Sequence, residues 1–327
     1  MSWTGKRVLV TGAGGFIGSH LAEALVTAGA DVRAMVLYNS LGSRDWLDHS
    51  ALAGNMEIFA GDICDHNSVR DATRGVECVF HLAALIAIPY SYGAPLSYVR
   101  TNVEGTLNVL QAARDEGCAR IVHTSTSEVY GSAEYVPIDE RHPLKGQSPY
   151  SASKIGADKI AESFHRSFAT PVVTLRPFNT FGPRQSARAV IPTVISQCLA
   201  GQPVRLGGLS PTRDFTYVSD TVSGFMLAAQ AAAVVGETIN LGVGREISIG
   251  DLAATIIELT GCGLEIETEP KRQRPEASEV ERLLSNNSRA RDLLGWQPTV
   301  SLRDGLSKTI SWLRENQDKF RPGDYTV

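Results

Sequence analysis

The chain has 327 residues, 43% of them hydrophobic and 20% charged, which is typical of a globular protein with one large domain or two unequal domains. Its net charge of −4 excludes a general attraction for nucleic acid or for an anionic membrane surface. The 5 scattered cysteines form no C-x-x-C pair and the 7 histidines show no metal-ligand spacing, so we expect reduced thiols in a cytoplasmic protein and no metal site. We also expect no signal peptide and no membrane span, because the first residues enter a strand and no apolar run reaches about 18 residues.

An apolar run at 7–10 leads into the glycine-rich stretch TGAGGFIG at 11–18, and an amphipathic helical pattern follows as far as Gly29. A strand, a glycine turn and a helix in this order form the context of a dinucleotide-binding fingerprint. Glycine permits the tight turn and lets the backbone approach a pyrophosphate, which then lies at the helix N-terminus. We therefore predict that a nicotinamide dinucleotide contacts Gly12, Gly15, Phe16, Ile17 and Gly18.

The second predicted strand, at 32–37, runs into Asn39, where folds of this type usually carry an acid for the ribose hydroxyls of NAD. No arginine lies directly on the turn either, although Arg33 and Arg44 are near, so these residues leave the choice between NAD and NADP open. We name NAD as the cofactor, with NADP not excluded. A third strand at 56–60 leads to Asp62 and Ile63, which we place against the adenine ring. Asp62 has a second interpretation, as the N-cap of a helix at 67–74.

A fourth strand begins at residue 78 and ends in small residues that would let a cofactor lie against the backbone. The predicted cofactor site therefore includes Leu82, Ala83 and Ala84. A long helix is predicted at 96–116. Asn102 on this helix either contacts the cofactor or is a solvated polar residue.

The stretch 121–154 carries the residues that indicate chemistry. An apolar strand ends in the polar residues 124–128, and Tyr150 and Lys154 follow on a helix predicted at 150–168. Their spacing places a phenol and an ammonium on one helix face, and the ammonium would lower the pKa of Tyr150 enough to make it a base near neutral pH. By itself the spacing also fits a solvated helix face.

Strands and helices alternate as far as an apolar strand at 172–175, which predicts a doubly wound parallel α/β sheet, the Rossmann fold, in a domain at 1–176. The carboxyl ends of its strands would meet in one crevice. From there prolines and glycines crowd short segments, which indicates a smaller, irregular C-terminal substrate-binding domain at 177–327, with some segments returning to the first domain. Basic turns at 213 and 271–274 would suit a diphosphate-bearing substrate, although a solvated charged face has the same pattern.

These motifs together resemble one family. They are TGAGGFIG at 11–18, HLAA at 81–84, STSEVYG at 125–131, SPYSASK at 148–154, RPFNTFGP at 176–183, RDFTYVSD at 213–220, RPE at 274–276 and LGW at 294–296. In this order, over nearly the whole chain, they resemble the extended short-chain dehydrogenases/reductases that act on nucleotide sugars. The run VLYNS at 36–40, with DWLD at 45–48 after it, resembles most closely the 4,6-dehydratases of legionaminic-type nonulosonic acid pathways.

The resemblance implies a set of catalytic residues: Thr126, Ser127, Glu128, Tyr150 and Lys154. Tyr150 would exchange a proton with the sugar 4-hydroxyl, to which Thr126 hydrogen-bonds, and Lys154 would hold the nicotinamide ribose and lower the pKa of Tyr150. The positions that bind the substrate diphosphate in this family are matched by Asn179, Arg188, Arg213 and Arg274. Members usually pair through the helices predicted at 96–116 and 150–168, which implies a homodimer.

Glu128 is the residue on which our expectation about the type of reaction depends. Sugar C4 epimerases of the family typically have small residues in this stretch, whereas a carboxylate resembles the base that takes the C5 proton in 4,6-dehydratases. Ser127 stands where dTDP-glucose dehydratases have an Asp, but GDP-mannose 4,6-dehydratases and UDP-glucuronate decarboxylases share the T-S-E sequence. We therefore expect a 4,6-dehydratase of a UDP- or GDP-linked N-acetylhexosamine. The alternatives are a C4 epimerase, a UDP-glucuronate decarboxylase and, more remotely, a non-catalytic NAD(P)-binding sensor.

Overall fold

The protein is described here by a computed structural model over residues 2–273 and 275–322. Its strands in this part of the chain are β1 (Arg7–Thr11), β2 (Asp31–Val36), β3 (Met56–Ala60), β4 (Cys78–His81), β5 (Arg120–Thr124), β6 (Val172–Pro177), β7 (Thr180–Phe181), β8 (Val204–Leu206), β9 (Thr212–Arg213), β10 (Thr216–Tyr217), β11 (Thr238–Leu241), β12 (Ile247–Ser248) and β13 (Ile266–Thr268).

The α-helices are α1 (Phe16–Thr27), α2 (His66–Thr73), α3 (Ile88–Gly93), α4 (Pro95–Tyr98), α5 (Gly105–Asp115), α6 (Pro149–Phe168), α7 (Val190–Leu199), α8 (Val218–Gln230), α9 (Ile249–Thr260), α10 (Ser288–Leu294) and α11 (Leu302–Glu315). A π-helical segment, Val99–Glu104, joins α4 to α5. Ser148 begins α6 with a capping box: its hydroxyl accepts a hydrogen bond from the Ser151 N–H, and the Ser151 hydroxyl accepts one from the Ser148 N–H.

Seven strands form one parallel sheet in the order β11-β6-β5-β4-β1-β2-β3. At its centre β1 pairs with β2, where Val8 lies opposite Val32, and with β4, where Val8 lies opposite Cys78. The chain therefore winds outward in one direction from β1 to β3 and in the other direction from β4, so the loops after β1 and β4 separate. A crevice opens at the carboxyl ends of these two strands. The predicted doubly wound parallel fold is confirmed.

Helices cover both faces of the sheet, and β1 shows how its side chains divide between them. Val8 and Val10 belong to the apolar cluster that includes Leu21 and Leu25 of α1. Leu9, between them, belongs to the cluster on the opposite face, with residues of α2, α5 and α6. Because both faces are covered, the central strands read as continuous apolar runs rather than as alternating patterns.

The chain beyond β6 forms three two-stranded pairs, β7 with β10, β8 with β13 and β9 with β12. The buried residues Ile195, Leu252 and Leu306, on α7, α9 and α11, belong to the same apolar cluster as Val8 of the sheet. β11 also returns to the large sheet, where Ile239 lies opposite Leu175 of β6. The C-terminal region is therefore joined to the sheet by a shared core and by a shared strand.

Two local predictions need correction. Asp62 is not the N-cap of the following helix, because α2 begins at His66 and the Asp65 carboxylate caps it by accepting from the Ser68 N–H at 2.8 Å. Only the residue directly before the first turn brings its side chain to the unpaired N–H groups, so the cap lies three positions further on than predicted. The helix predicted at 96–116 is a continuous helical run formed by α4, the π-helical segment and α5, so its first half is not a regular α-helix.

Among the described residues, no helix is both long enough and apolar enough to cross a bilayer. In the same part of the chain, no group of three or more His, Cys, Asp or Glu side chains is arranged to hold a metal ion. All five cysteines are free thiols.

Gly18 tests the packing of α1 against the glycine turn. A Cβ atom added at this residue would lie 2.1 Å from the Gly12 carbonyl oxygen, which is backbone and cannot rotate away. We expect Gly18→Ala to lower the free energy of unfolding by about 1–3 kcal/mol, the usual range for overpacking, in urea denaturation. Gly54→Ala is the matched control, because no atom lies within 4 Å of a Cβ atom added there. Equal losses in the two variants would contradict the argument.

Candidate active site

The glycine turn brings the backbone after β1 against the end of β4. Gly12 has a φ angle of +69°, and a Cβ atom added to it would lie 2.8 Å from the Ala83 backbone nitrogen. The helix α1 begins at Phe16 and Ile17 with Gly15 as its N-cap; no described side chain caps it, and its first turn holds no acidic residue. The unpaired N–H groups and the positive end of this helix therefore fit a pyrophosphate.

Thr11, the first residue of the TGAGGFIG motif, holds the end of β4 in place, a role that the sequence did not indicate. Its hydroxyl oxygen accepts from the Leu82 N–H at 3.2 Å and from the Ala83 N–H at 3.1 Å, and the hydroxyl also hydrogen-bonds His81 Nδ1 at 2.9 Å. The Thr106 hydroxyl donates to the Asn102 carbonyl oxygen, so it must accept from His81 Nε2–H, which leaves Nδ1 to accept from Thr11. Burial lowers the pKa of His81 and keeps it neutral in this chain of hydrogen bonds. Leu82, Ala83 and the following Ala84 are thereby fixed beside the glycine turn.

The residues predicted for the adenosine half of the cofactor lie after β2 and β3. Asn39 closes its own loop: its Oδ1 accepts from the Ser43 N–H at 3.1 Å, and its Nδ2 donates to the Ser43 carbonyl oxygen at 2.8 Å. Ile63 is buried against α5, where a Cβ atom added to Gly105 would lie 2.6 Å from its Cδ1. Asp62 is exposed. Asn39 and Ile63 therefore shape this end of the crevice, and their contacts with a cofactor stay predictions.

The loop after Asn39 covers the glycine turn, which sequence reasoning missed. The Trp46 N–H donates to the Gly14 carbonyl oxygen at 3.1 Å, and Asp45 Oδ2 would lie 2.9 Å from a Cβ atom added to Gly14. Asp45 adopts a φ angle of +52°, which non-glycine residues rarely do. A motif read along the chain could not show this contact, because it joins segments thirty residues apart.

Thr126, Ser127 and Glu128 lie at the turn Ser127–Tyr130, which follows β5. The Thr126 hydroxyl caps this turn by accepting from the Glu128 N–H at 3.2 Å, and it also hydrogen-bonds the Tyr150 hydroxyl. Burial raises the pKa of Tyr150; the hydrogen bond with Thr126 opposes that change, and the nearby negative charge of Glu128 adds to it. The fold thus assembles a phenol, a hydroxyl and a carboxylate in one place, with Ser127 buried beside them.

Lys154 lies buried one turn along α6 from Tyr150, and its ammonium donates to the Thr124 carbonyl oxygen at 2.6 Å. Burial lowers the pKa of Lys154 to about 8, and the negative charge of Asp158 opposes the change. The expectation that Lys154 makes Tyr150 a base near neutral pH is wrong for the protein alone, because desolvation of the phenol dominates and raises its pKa. Ionisation of Tyr150 at neutral pH therefore requires further positive charge beside the phenol.

Asn102 is buried in the π-helical segment, so its interpretation as a solvated residue is wrong. Its Oδ1 accepts from the Leu85 N–H, and its Nδ2 donates to the Leu85 carbonyl oxygen and to Ser153 Oγ, each at 2.9 Å. These bonds tie the loop after β4 to α6 beside Lys154. Asn102 positions that loop, and its direct contact with a cofactor stays a prediction.

Tyr98 is a further residue of the site that sequence reasoning missed. Its ring meets the Tyr150 ring edge to face, with centroids 6.2 Å apart, and its hydroxyl donates to the Ala87 carbonyl oxygen. The available signal was its position four residues before Asn102, which places both side chains on the helix face that meets α6.

The residues predicted for the substrate diphosphate lie in the C-terminal region. Arg213 is buried and donates to Glu279 Oε1 at 3.2 Å. The Asn179 carbonyl oxygen accepts from the Thr216 N–H at 3.0 Å, which joins it to the segment that follows Arg213, and the Asn179 Nδ2 has no hydrogen-bond partner among the described residues. Arg188 is exposed, yet close enough to Tyr98 for its charge to act on that phenol. Arg274 lies outside the described residues.

One known family matches this chain over most of its length. A sequence model of the GDP-mannose 4,6 dehydratase family matches residues 9–309. The chain belongs to this family. It lies within the extended short-chain dehydrogenases/reductases that act on nucleotide sugars, as the motifs indicated, and it is an enzyme of that group by descent.

Curated relatives of nearly equal identity carry out three different reactions. The chain is 32% identical to a dTDP-glucose 4,6-dehydratase of Streptomyces niveus, over 97% of this chain and 95% of the relative. It is 34% identical to a UDP-glucose 4-epimerase of Mycolicibacterium smegmatis, over 94% and 98%. It is 33% identical to UDP-glucuronic acid decarboxylase 1 of Xenopus tropicalis, over 98% and 75%. The relatives of this chain therefore include a dehydratase, an epimerase and a decarboxylase.

A solved structure carries the same fold over its whole length. The dTDP-glucose 4,6-dehydratase of Streptomyces venezuelae, solved with NAD and TYD bound, superposes with a TM-score of 0.89 at 30% identity, covering 96% of this chain and 99% of that one. That relative holds the cofactor that the glycine turn of this chain predicts.

Lys154 gives this enzyme a pH-dependent stability. Its pKa is about 8 in the folded protein and about 10.4 in an unfolded chain, so between these values the unfolded state binds more protons and stability rises with pH. Lys154→Met removes this proton. We therefore expect the free energy of unfolding of the variant, relative to that of the wild type, to fall by about 2–3 kcal/mol from pH 8 to about pH 10.5 in urea denaturation.

The exposed Lys159 on the same helix is the control, because its ammonium lies in solvent beside Glu162. Lys159→Met should show no such change with pH. A constant difference between Lys154→Met and the wild type across this pH range would contradict the prediction.

Proposed function

We propose that the enzyme is a nucleotide-diphosphate-sugar 4,6-dehydratase, with NAD as a recycled cofactor and a UDP- or GDP-linked N-acetylhexosamine as its substrate. The observation that carries this proposal is the carboxylate of Glu128, which lies near enough to Tyr150 for its charge to raise the pKa of the phenol. A dehydratase needs a second base beside the tyrosine that works on the 4-hydroxyl, whereas a C4 epimerase does not. A legionaminic-type pathway, suggested by the motifs, is the finer form of this proposal.

Three residues act on the sugar 4-hydroxyl. Bound NAD supplies the acceptor for a hydride from C4 and later the donor of a hydride to C6. Tyr150 takes the proton of the 4-hydroxyl while the bond between C4 and its hydrogen breaks. The Thr126 hydroxyl, which hydrogen-bonds Tyr150 in this structure, holds the 4-hydroxyl of the sugar. Lys154 would hold the nicotinamide ribose from one turn along α6, and its charge together with that of the oxidised nicotinamide would supply the further positive charge that the phenolate requires.

Glu128 then acts on the 4-keto sugar. The ketone makes the C5 proton acidic, and the Glu128 carboxylate takes that proton while the C6 hydroxyl departs. A serine has no acidic proton near neutral pH, so Ser127 is not the acid that protonates this leaving group. Glu128 delivers the proton that it took from C5 to the C6 oxygen, so that one carboxylate serves as base and acid and one water is lost. The return of a hydride to C6 would require C5 to take up one proton, and the proton that Tyr150 removed from the 4-hydroxyl balances this uptake.

The substrate diphosphate is held by cations and amides of the C-terminal region in this proposal. Arg213 is buried, so an anion bound there is shielded from water. Asn179 offers its Nδ2, which has no hydrogen-bond partner in the part of the chain that the structure describes. Arg188 and Arg274 complete the predicted set, with Arg188 entering from the loop before α7.

The proposed function is tested by mass spectrometry of the products formed from UDP- and GDP-linked N-acetylglucosamine, glucose and glucuronate. We expect the loss of one water from an N-acetylhexosamine substrate. Loss of carbon dioxide from the glucuronate would replace the proposal with a decarboxylase, and a new isomer of unchanged mass would replace it with an epimerase.

Glu128→Gln sharpens the same test, because it keeps the shape of the side chain but removes the base. We expect turnover to fall at least about 100-fold, with NAD binding and the fold retained. Glu162→Gln on the outer face of α6 is the matched control, since its carboxylate pairs only with exposed cations in the described structure. Unchanged turnover in Glu128→Gln would remove the dehydratase assignment.

We also propose that two copies pair through α5 and α6. Leu96, Val99 and Phe168 are 61%, 51% and 52% exposed on the helical segments around these two helices. Large apolar side chains that stay exposed along neighbouring helices are typical of an interface. Light scattering at micromolar concentration should therefore give about twice the chain mass of 35.2 kDa, and Leu96→Glu should lower it. A wild-type monomer would contradict the dimer.

A further inference from the structure

A buried carboxylate lies on α6 behind the proposed active site, and the mechanism above does not use it. Asp158 Oδ1 accepts from His123 Nε2 at 3.1 Å. Its Oδ2 accepts from Ser125 Oγ at 2.8 Å and from Arg176 Nε and Nη2 at 3.2 and 3.0 Å. Asp158 is only 5% exposed. A charge this deep is stable only when several donors surround it, as they do here.

Asp158 lies four residues after Lys154, so the carboxylate and the ammonium share the buried face of α6 one turn apart. The two charges act on each other: burial lowers the pKa of Lys154, and the negative charge of Asp158 raises it. Burial would raise the pKa of Asp158, but the hydrogen bond from His123 and the charges of Arg176 and Lys154 hold it at about 2. Asp158 is therefore ionised at every pH at which the enzyme would work.

We propose that Asp158 is a positioning residue, which keeps the Lys154 ammonium charged and directed toward Thr124 from inside the protein core. The consequence of this positioning for catalysis rests on the proposed function. Lys154 is fully surrounded by protein, and it donates to a neutral carbonyl oxygen rather than to a carboxylate. Without a nearby negative charge, a buried ammonium loses its proton readily.

The other ionisable groups around this pair come from three strands and from the catalytic turn. His81 on β4 and His123 on β5 are buried, and burial lowers the pKa of each, so they add no positive charge. Arg176 on β6 is a permanent cation that shares the Asp158 carboxylate with Lys154. On the far side of Lys154 lie Tyr150 and, beyond it, Glu128. One carboxylate thus serves two buried cations, and its loss would leave both without a counter-charge.

Arg176 cannot take the place of Lys154, because it is held from its other side. Its Nη1 donates to the Tyr130 hydroxyl at 3.0 Å, and that hydroxyl donates to Asn240 Oδ1 at 2.7 Å. The guanidinium also lies over the Tyr130 ring, 5.0 Å from its centroid. This anchoring fixes the Asp158 carboxylate at a constant place behind Lys154.

The experiment is a pH titration of the lysine side chains by NMR in protein labelled at the lysine Cε and Nζ atoms, with Lys154→Met used to assign the Lys154 signal. In Asp158→Asn the pKa of Lys154 should fall by at least about one unit. The alkaline limb of kcat/KM should move to lower pH by the same amount, while KM for the nucleotide sugar changes little. An unchanged Lys154 pKa in a folded Asp158→Asn protein would overturn the proposal.

Two further variants separate charge from structure. Asp220→Asn is the matched control, because Asp220 is also buried and hydrogen-bonded, to Thr299 and Val300, but on α8 and away from Lys154; it should leave the Lys154 titration unchanged. Arg176→Gln removes the competing cation, so the Lys154 pKa should rise. Should Asp158→Asn not fold, a Lys154 pKa that falls or stays unchanged in Arg176→Gln overturns the proposal.

The titration uses no substrate, so it also distinguishes this inference from the proposed function. A shifted Lys154 signal together with an enzyme that forms no dehydrated product would support the role of Asp158 and reject the dehydratase. A dehydratase whose Lys154 titration ignores Asp158 would support the reaction and reject the inference.

Discussion

The site depends on how closely the backbone after β1 approaches the end of β4. Gly12 leaves no room for a side chain beside Ala83, and the Thr11 hydroxyl draws in the N–H groups of Leu82 and Ala83. This contact lies where the order of the strands reverses, which is the place at which the loops of a doubly wound sheet diverge. Because β5 pairs with β4, the turn that carries Glu128 reaches the same crevice. In the proposed function the glycine turn therefore sets the position of the cofactor, and the sheet brings the acid–base groups to it.

Burial works against the chemistry of this crevice. It raises the pKa of Tyr150 and lowers that of Lys154, so each group is moved away from the ionised form that proton transfer requires. A site of this kind functions only if fixed charges and hydrogen bonds oppose desolvation, as Thr126 does for the phenol and Asp158 for the ammonium. These arrangements cost stability in the absence of ligand, because charges are kept in a dry interior. The protein keeps polar groups there that an apolar core would not contain.

The sequence predicted those features that depend on local spacing. Strand–helix alternation predicts the sheet, and the interval between Tyr150 and Lys154 places both on one face of α6. The sequence could not predict that the pKa of Tyr150 is raised, because the phenol is desolvated by Tyr98 and by other segments that are distant in the chain. For the same reason it missed Asp45 against Gly14 and the pairing of Arg213 with Glu279. Local spacing could have indicated Asp158, since it continues the i, i+4 series of Tyr150 and Lys154. Local spacing could not have shown that its carboxylate is buried.

The electrostatics of Lys154 belong to a larger part of the molecule than α6. Asp158 holds Arg176 on β6, Arg176 holds Tyr130 after β5, and Tyr130 holds Asn240 on β11. The Asn240 side chain donates in turn to the Ile138 carbonyl oxygen. Each bond in this series is made between buried groups, and a satisfied buried network rigidifies the segments that it joins. β11 lies within the C-terminal region, close along the chain to the residues that bind the Asp214 carboxylate. A change at Asn240 should therefore act on Lys154 without touching it, because it alters the setting of the one carboxylate that both cations share.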